Sequence, residues 1–131
     1  MVPEEHLLAR FFVATKRERY TEMISKPKKR AKFLAELDHF KSLDPHYVIS
    51  IASSQQSPEG IASILARKGA PQSCWVTSSH RDFDEKQMSL LEALKKIVGC
   101  QMGTFLTCIP GRLAYFEGEE MRDRCILERP N

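Results

Sequence analysis

At Asp44-Pro45 the hydrophobic period of the chain changes, and that change constrains the fold more than any other feature. Before it, apolar residues recur at helical spacing. After it, short β-branched and aromatic runs alternate with helical stretches, so this part must build a sheet with helices packed on it. His46–Ala52 (HYVISIA) reads as the first strand. A helix follows, with Ser57 as N-cap, Pro58 at its first position, and Ile61, Ile64 and Leu65 on its buried side. Gly69 and Pro71 end it. Ser73–Thr77 (SCWVT) is the second strand. Asp84 with Gln87 suggests a capping box that opens a helix bearing Met88, Leu91, Leu94, Ile97 and Val98. Gly103–Ile109, Arg112–Glu117 and Arg124–Glu128 complete five strands. Pro110-Gly111 favours a type II turn, which fits a tight hairpin less well than Asn-Gly and predicts a distortion or bulge nearby.

The first third is helical. Leu7, Leu8, Phe11 and Phe12 build one stripe, and Tyr20, Met23 and Ile24 continue one after a polar stretch, so the helix over about 4–25 should break near Thr15–Lys16. A second helix starts at Pro27, capped by Ser25, and carries Phe33, Leu34, Leu37 and Phe40 on one face. The predicted order is ααβαβαβββ. The reading is one α/β domain over residues 1–131, with a helical arm (1–43) and a mixed five-stranded sheet (44–131). Two β–helix–β units imply parallel strands joined by right-handed crossovers, extended by a C-terminal antiparallel hairpin.

Composition sets limits on function. The 42% hydrophobic and 28% charged fractions are those of a folded protein, not a disordered one. No apolar run approaches the roughly 20 residues that span a bilayer. The start, Met1-Val2-Pro3-Glu4-Glu5, is acidic and Arg10 interrupts the apolar stretch, unlike a secretory leader. A cytoplasmic location is therefore expected, with no membrane partner. Cys74, Cys100, Cys108 and Cys125 lack the close pairing of zinc ligands, and the four histidines are scattered; neither a metal nor a cofactor is expected.

If the first three strands run parallel, their carboxyl ends bring three loops to one edge, where ligands of α/β sheets usually bind. These are Ser53–Ser57, Ser78–Asp82 and Pro110–Arg112. Arg81 or Arg112 could clamp a phosphate or carboxylate; the expected ligand is a small anion, held by hydroxyl and backbone donors at Ser54, Ser57 and Ser79, a pH-sensitive donor at His80 and the charge of Arg112. Serines in such loops also serve simply as caps. Glycine-rich phosphate motifs are absent.

Two alternatives come from other classes. The net charge is +3, and the excess lies in residues 1–45, with ten Lys/Arg against seven Asp/Glu. Lys28, Lys29, Arg30 and Lys32 cluster there and would neutralise nucleic-acid phosphates, although a pI of about 8.7 is modest for that role. The other alternative is a small Cys/His or Ser/His enzyme using Cys108 or Ser78/Ser79 with His80; no catalytic motif supports it, and no catalytic residue is assigned. On the strand, Cys108 should share a side with Leu106, opposite Phe105 and Thr107. The sequence thus favours a non-catalytic binding or regulatory module over an enzyme, with self-association through the helical arm, or another protein partner, as a further route to function.

Overall fold

The structure is a computed structural model that describes residues 3–130; Met1 and Val2, where the leader argument begins, and Asn131 lie outside the described residues. Three helices come first: α1 (Pro3–Phe11), α2 (Arg17–Ile24) and α3 (Pro27–Glu36). The break between α1 and α2 falls where the stripe is interrupted, at a 3₁₀ turn over Ala14–Lys16. Ser25 does not cap α3: Lys26 holds that position without a side-chain bond, and the Ser25 hydroxyl donates backwards to the Glu22 carbonyl.

Strands β1 (Val48–Ser50), β2 (Ser73–Ser78), β3 (Lys86–Ser89), β4 (Thr104–Ile109), β5 (Leu113–Glu117) and β6 (Cys125–Glu128) form one sheet in the order β1-β6-β5-β4-β2-β3. Helix α4 (Pro58–Arg67) joins β1 to β2, and α5 (Leu90–Ile97) joins β3 to β4. The molecule therefore has α and β elements around a six-stranded sheet. Every neighbouring pair is antiparallel, which corrects the mixed, five-stranded expectation.

The cause lies in Lys86–Ser89. This segment was expected inside a helix opened by Asp84, but it returns along β2 as an edge strand. The chain has thus already reversed before α5, and β4 runs opposite to β2. The true cap is Ser89, whose Oγ accepts from the Glu92 N–H at 3.4 Å. β1 pairs with the C-terminal β6 rather than with β2, so its direction says nothing about a crossover to its neighbour.

Other local expectations hold. Ser57 Oγ caps α4 through the Gly60 N–H at 3.0 Å, with Pro58 in the first turn. The Arg112 N–H donates to the Ile109 carbonyl at 2.9 Å across Pro110-Gly111, and Gly111 has φ of +74°, the marks of a type II turn. The register slips between Thr107 and Ile109, which places a bulge at Cys108.

The sheet carries a core on each face. On one, α1–α3 bury Leu7, Leu8, Phe11, Phe12, Tyr20, Phe33, Leu37 and Phe40 against Phe105, Ala114, Phe116 and Leu127. The helical arm therefore covers the chain's own sheet. On the other, α4 and α5 bury Ile61, Leu65, Leu90, Ala93 and Leu94 among others against Val76, Leu106, Leu113, Tyr115 and Ile126. Gly103 permits the first packing: a Cβ there would lie 2.2 Å from the Leu37 backbone. No helix among the described residues is long and apolar enough to cross a membrane.

Candidate functional site

The antiparallel sheet separates the residues expected to share one edge. β1 and β2 point the same way, but β6, β5 and β4 stand between them. Four inter-strand steps put their loops about 19 Å apart. Ser54 and Ser57 therefore lie far from Ser79 and His80. Arg112 follows β4, which runs opposite to β2, so it sits at the other end of the sheet, about 17 Å along the strand from Ser78. Its side chain is exposed. The same reversal separates Cys108 from His80. Cys108 does share the α4/α5 face with Leu106, and Phe105 faces the other helices.

The basic run is also divided. Lys28, Lys29 and Lys32 are exposed, and Lys29 pairs with Glu22. Arg30 is buried, 9% exposed. Its guanidinium makes two bonds of 2.7 Å to Glu4, bonds Asp84 at 3.0 and 3.2 Å, and reaches Glu85 at 2.9 Å. Glu4, 7% exposed, also accepts from the Thr77 hydroxyl at 2.6 Å. Burial alone would raise the Glu4 carboxyl; bonds from Arg30 and Thr77, together with the Arg30 charge, outweigh it and hold it below its ordinary value. Burial likewise opposes the Arg30 charge, and Glu4 and Asp84 more than offset that. The guanidinium serves the fold and is not free for a phosphate.

Position explains this. Arg30 stands three, four and seven residues before Phe33, Leu34 and Leu37, so it extends their stripe. Glu4 relates to Leu7, Leu8 and Phe11 in the same way. Those spacings were a readable sign that both charges point inward.

Loop 79–85 is held from both faces of the sheet. Asp84 accepts from the Ser78 N–H at 2.9 Å and binds Arg30. Ser79 Oγ donates to Asp38 at 2.9 Å, and Asp38 also accepts from the Gly103 N–H. Phe83 packs on the α4/α5 core, under Lys96 Nζ at 5.8 Å from the ring centroid. His80 stacks on Phe83 with centroids 4.3 Å apart. Its Nδ1 is buried and has no hydrogen-bond partner among the described residues. Ser79, His80, Arg81, Asp82 and Met102 line an open depression of about 320 Å³. Arg81 is exposed and makes no ion pair among the described residues. The sequence offered Arg81 or Arg112 as the charged clamp of this site; the fold leaves Arg81 beside Ser79 and His80 and sets Arg112 at the other end of the sheet.

A second buried carboxylate, Glu117, is fully enclosed under α5. It accepts from Tyr115 Oη at 2.8 Å and from the Gly99 and Gln101 N–H groups at 3.3 and 3.0 Å; Arg124 Nε lies 3.4 Å away. Gln101 has φ of +58°, so the backbone bends to aim both N–H groups at this internal anion. Burial pushes the Tyr115 hydroxyl up, with the Glu117 charge adding to it. Burial also raises three of the thiols, Cys74 and Cys125 to about 12 and Cys108 higher still, so none of these three is an activated nucleophile. No group of three or more His, Cys, Asp or Glu among the described residues is arranged to hold a metal ion.

No family model, curated protein or solved structure matches this chain.

Proposed function

We propose that this protein is a non-catalytic binding module that takes a small anion at the loop between β2 and β3. One observation carries the reading: an open depression whose wall holds His80 and the exposed Arg81, which has no ion-pair partner among the described residues, while His80 Nδ1 is buried with no hydrogen-bond partner among them. A buried polar atom without a bond carries a cost that a ligand relieves. Arg81 supplies a fork of donors suited to phosphate or carboxylate and His80 a ring N–H, while Ser79, whose hydroxyl proton goes to Asp38 and whose N–H goes to Gly103, lines the wall. Asp82 borders the same depression and opposes an anion, which favours a ligand that seats on the His80–Arg81 side. The site keeps Ser79, His80 and, of the two arginines the sequence offered as clamps, Arg81; Ser54, Ser57 and Arg112 drop out.

A thermal-shift panel of inorganic phosphate, nucleotides, carboxylates and a short oligonucleotide at low salt tests this. An anion at about a hundred times its dissociation constant adds roughly 2.7 kcal/mol, a shift of several degrees for a domain of this size. The shift should be lost in Arg81→Ala and His80→Ala and kept in Arg112→Ala. A shift seen only with the oligonucleotide, and lost on replacing Lys28 and Lys32, would move the function to α3.

A further inference from the structure

We propose that Cys74 and Cys108 form a cross-strand dithiol that a small disulfide oxidises to an intramolecular disulfide. The β2–β4 ladder ends with Trp75 opposite Thr107, and Cys74 and Cys108 are the next residue of each strand beyond that last pair. Both side chains belong to the core on the α4/α5 face, so they point to the same side of the sheet. Facing residues of an antiparallel pair have Cα atoms about 4.5–5.5 Å apart, inside the roughly 4.4–6.8 Å that a disulfide spans. The bulge at Cys108 loosens this end of the ladder, where backbone must shift slightly as the bond forms.

An opening lies at this end of the two strands, where the thiols, 3% and 6% exposed, are reached past the strand ends. Both cysteines line an opening of about 170 Å³, together with Pro3, Trp75, Gln87 and Pro110. Cys125 is also buried but belongs to the opposite core, and Cys100 is exposed with its Sγ against the Lys96 carbonyl at 2.8 Å. Neither has a second thiol across a strand pair.

The exchange balances with glutathione disulfide as oxidant. The Cys74 thiolate, whose proton is the less tightly held of the two, attacks one glutathione sulfur. A protein–glutathione bond forms, the glutathione disulfide bond breaks, and one glutathione thiolate leaves. The Cys108 thiolate then attacks Cys74 Sγ, forming the protein disulfide and releasing the second glutathione. The protein loses two electrons and two protons, and the oxidant gains them. Burial keeps both thiolates scarce at neutral pH, so the reaction is slow there and accelerates by up to about tenfold per pH unit.

The test uses the folded full chain with Cys100→Ser, which removes the exposed competitor. It is incubated with glutathione disulfide at mildly alkaline pH, alkylated, and mapped by mass spectrometry without reduction. The expected result is a peptide pair joined through Cys74 and Cys108, no retained glutathione, and a melting temperature above that of the reduced protein. Adding Cys74→Ala should abolish the joined pair while Cys125→Ala leaves it. The proposal is overturned if, after the incubation, unfolding the protein leaves both thiols fully alkylatable, or if the joined pair contains Cys125.

Discussion

The two faces of the sheet solve the same packing problem with different materials. Under α1–α3 the core is aromatic: Phe12 contacts Tyr20, Phe33, Phe40 and Phe105 with ring centroids 4.7–6.4 Å apart. Under α4 and α5 it is mostly aliphatic, with Tyr115 and two thiols. Each face also encloses a charged network, of opposite logic. On the first, one guanidinium gathers three carboxylates from α1 and the β2–β3 loop. On the second, one carboxylate gathers donors from β5, the turn after α5 and Arg124. The first ties separate elements together by side chains; the second fixes a turn through its backbone. Loss of Arg30 should therefore loosen whole elements, whereas loss of Glu117 should chiefly release the Gly99–Gln101 turn.

The largest expected effect comes from Arg30→Ala. It leaves Glu4 and Asp84 with uncompensated, largely buried charge and should cost about 3–5 kcal/mol in chemical denaturation. A loss below about 1 kcal/mol would mean the network contributes little to the first face. Phe12→Ala should cost about 4 kcal/mol and Leu94→Ala, on the other face, about 3 kcal/mol. The sheet separates them, so the double variant should be additive within about 0.5 kcal/mol; strong coupling would show that the faces are not independent.

A smaller effect concerns pH. Because the Glu4 carboxyl is depressed in the folded protein, its contribution is present above its unfolded value of about 4.3 and is lost as pH falls through the folded value. Glu4→Gln should flatten the acid limb of a stability–pH curve, and an unchanged limb would contradict the assignment. Smallest is Ser57→Ala, about 1 kcal/mol for a lost cap on α4.

Much of the fold was legible in the chain itself. The break after α1, the cap at Ser57, the turn at Pro110-Gly111 and its neighbouring bulge all follow from local chemistry. The sheet order does not. Four residues, Lys86–Ser89, decide between parallel and antiparallel β2 and β4, and their edge position in a sheet has no strong local signature. Asp84 resembled a cap because it is a short carboxylate ahead of a helical period, yet its partner, Arg30, lies 54 residues away. The same long-range pairing removed Arg30 from the basic surface. Of the site, Ser79 and His80 were legible as loop residues. That the clamp beside His80 would be Arg81 rather than Arg112, with Ser54 far away, required the topology.

The central claim is that a loop braced from both faces presents His80 and Arg81 to an anion. The direct measurement is a titration of the ¹⁵N-labelled protein with inorganic phosphate, followed by two-dimensional NMR. The account predicts saturable shifts confined to residues 79–82 and Met102, absent in Arg81→Ala. Shifts centred on Arg112 or on Lys28 and Lys32, or none at any phosphate concentration, would contradict it.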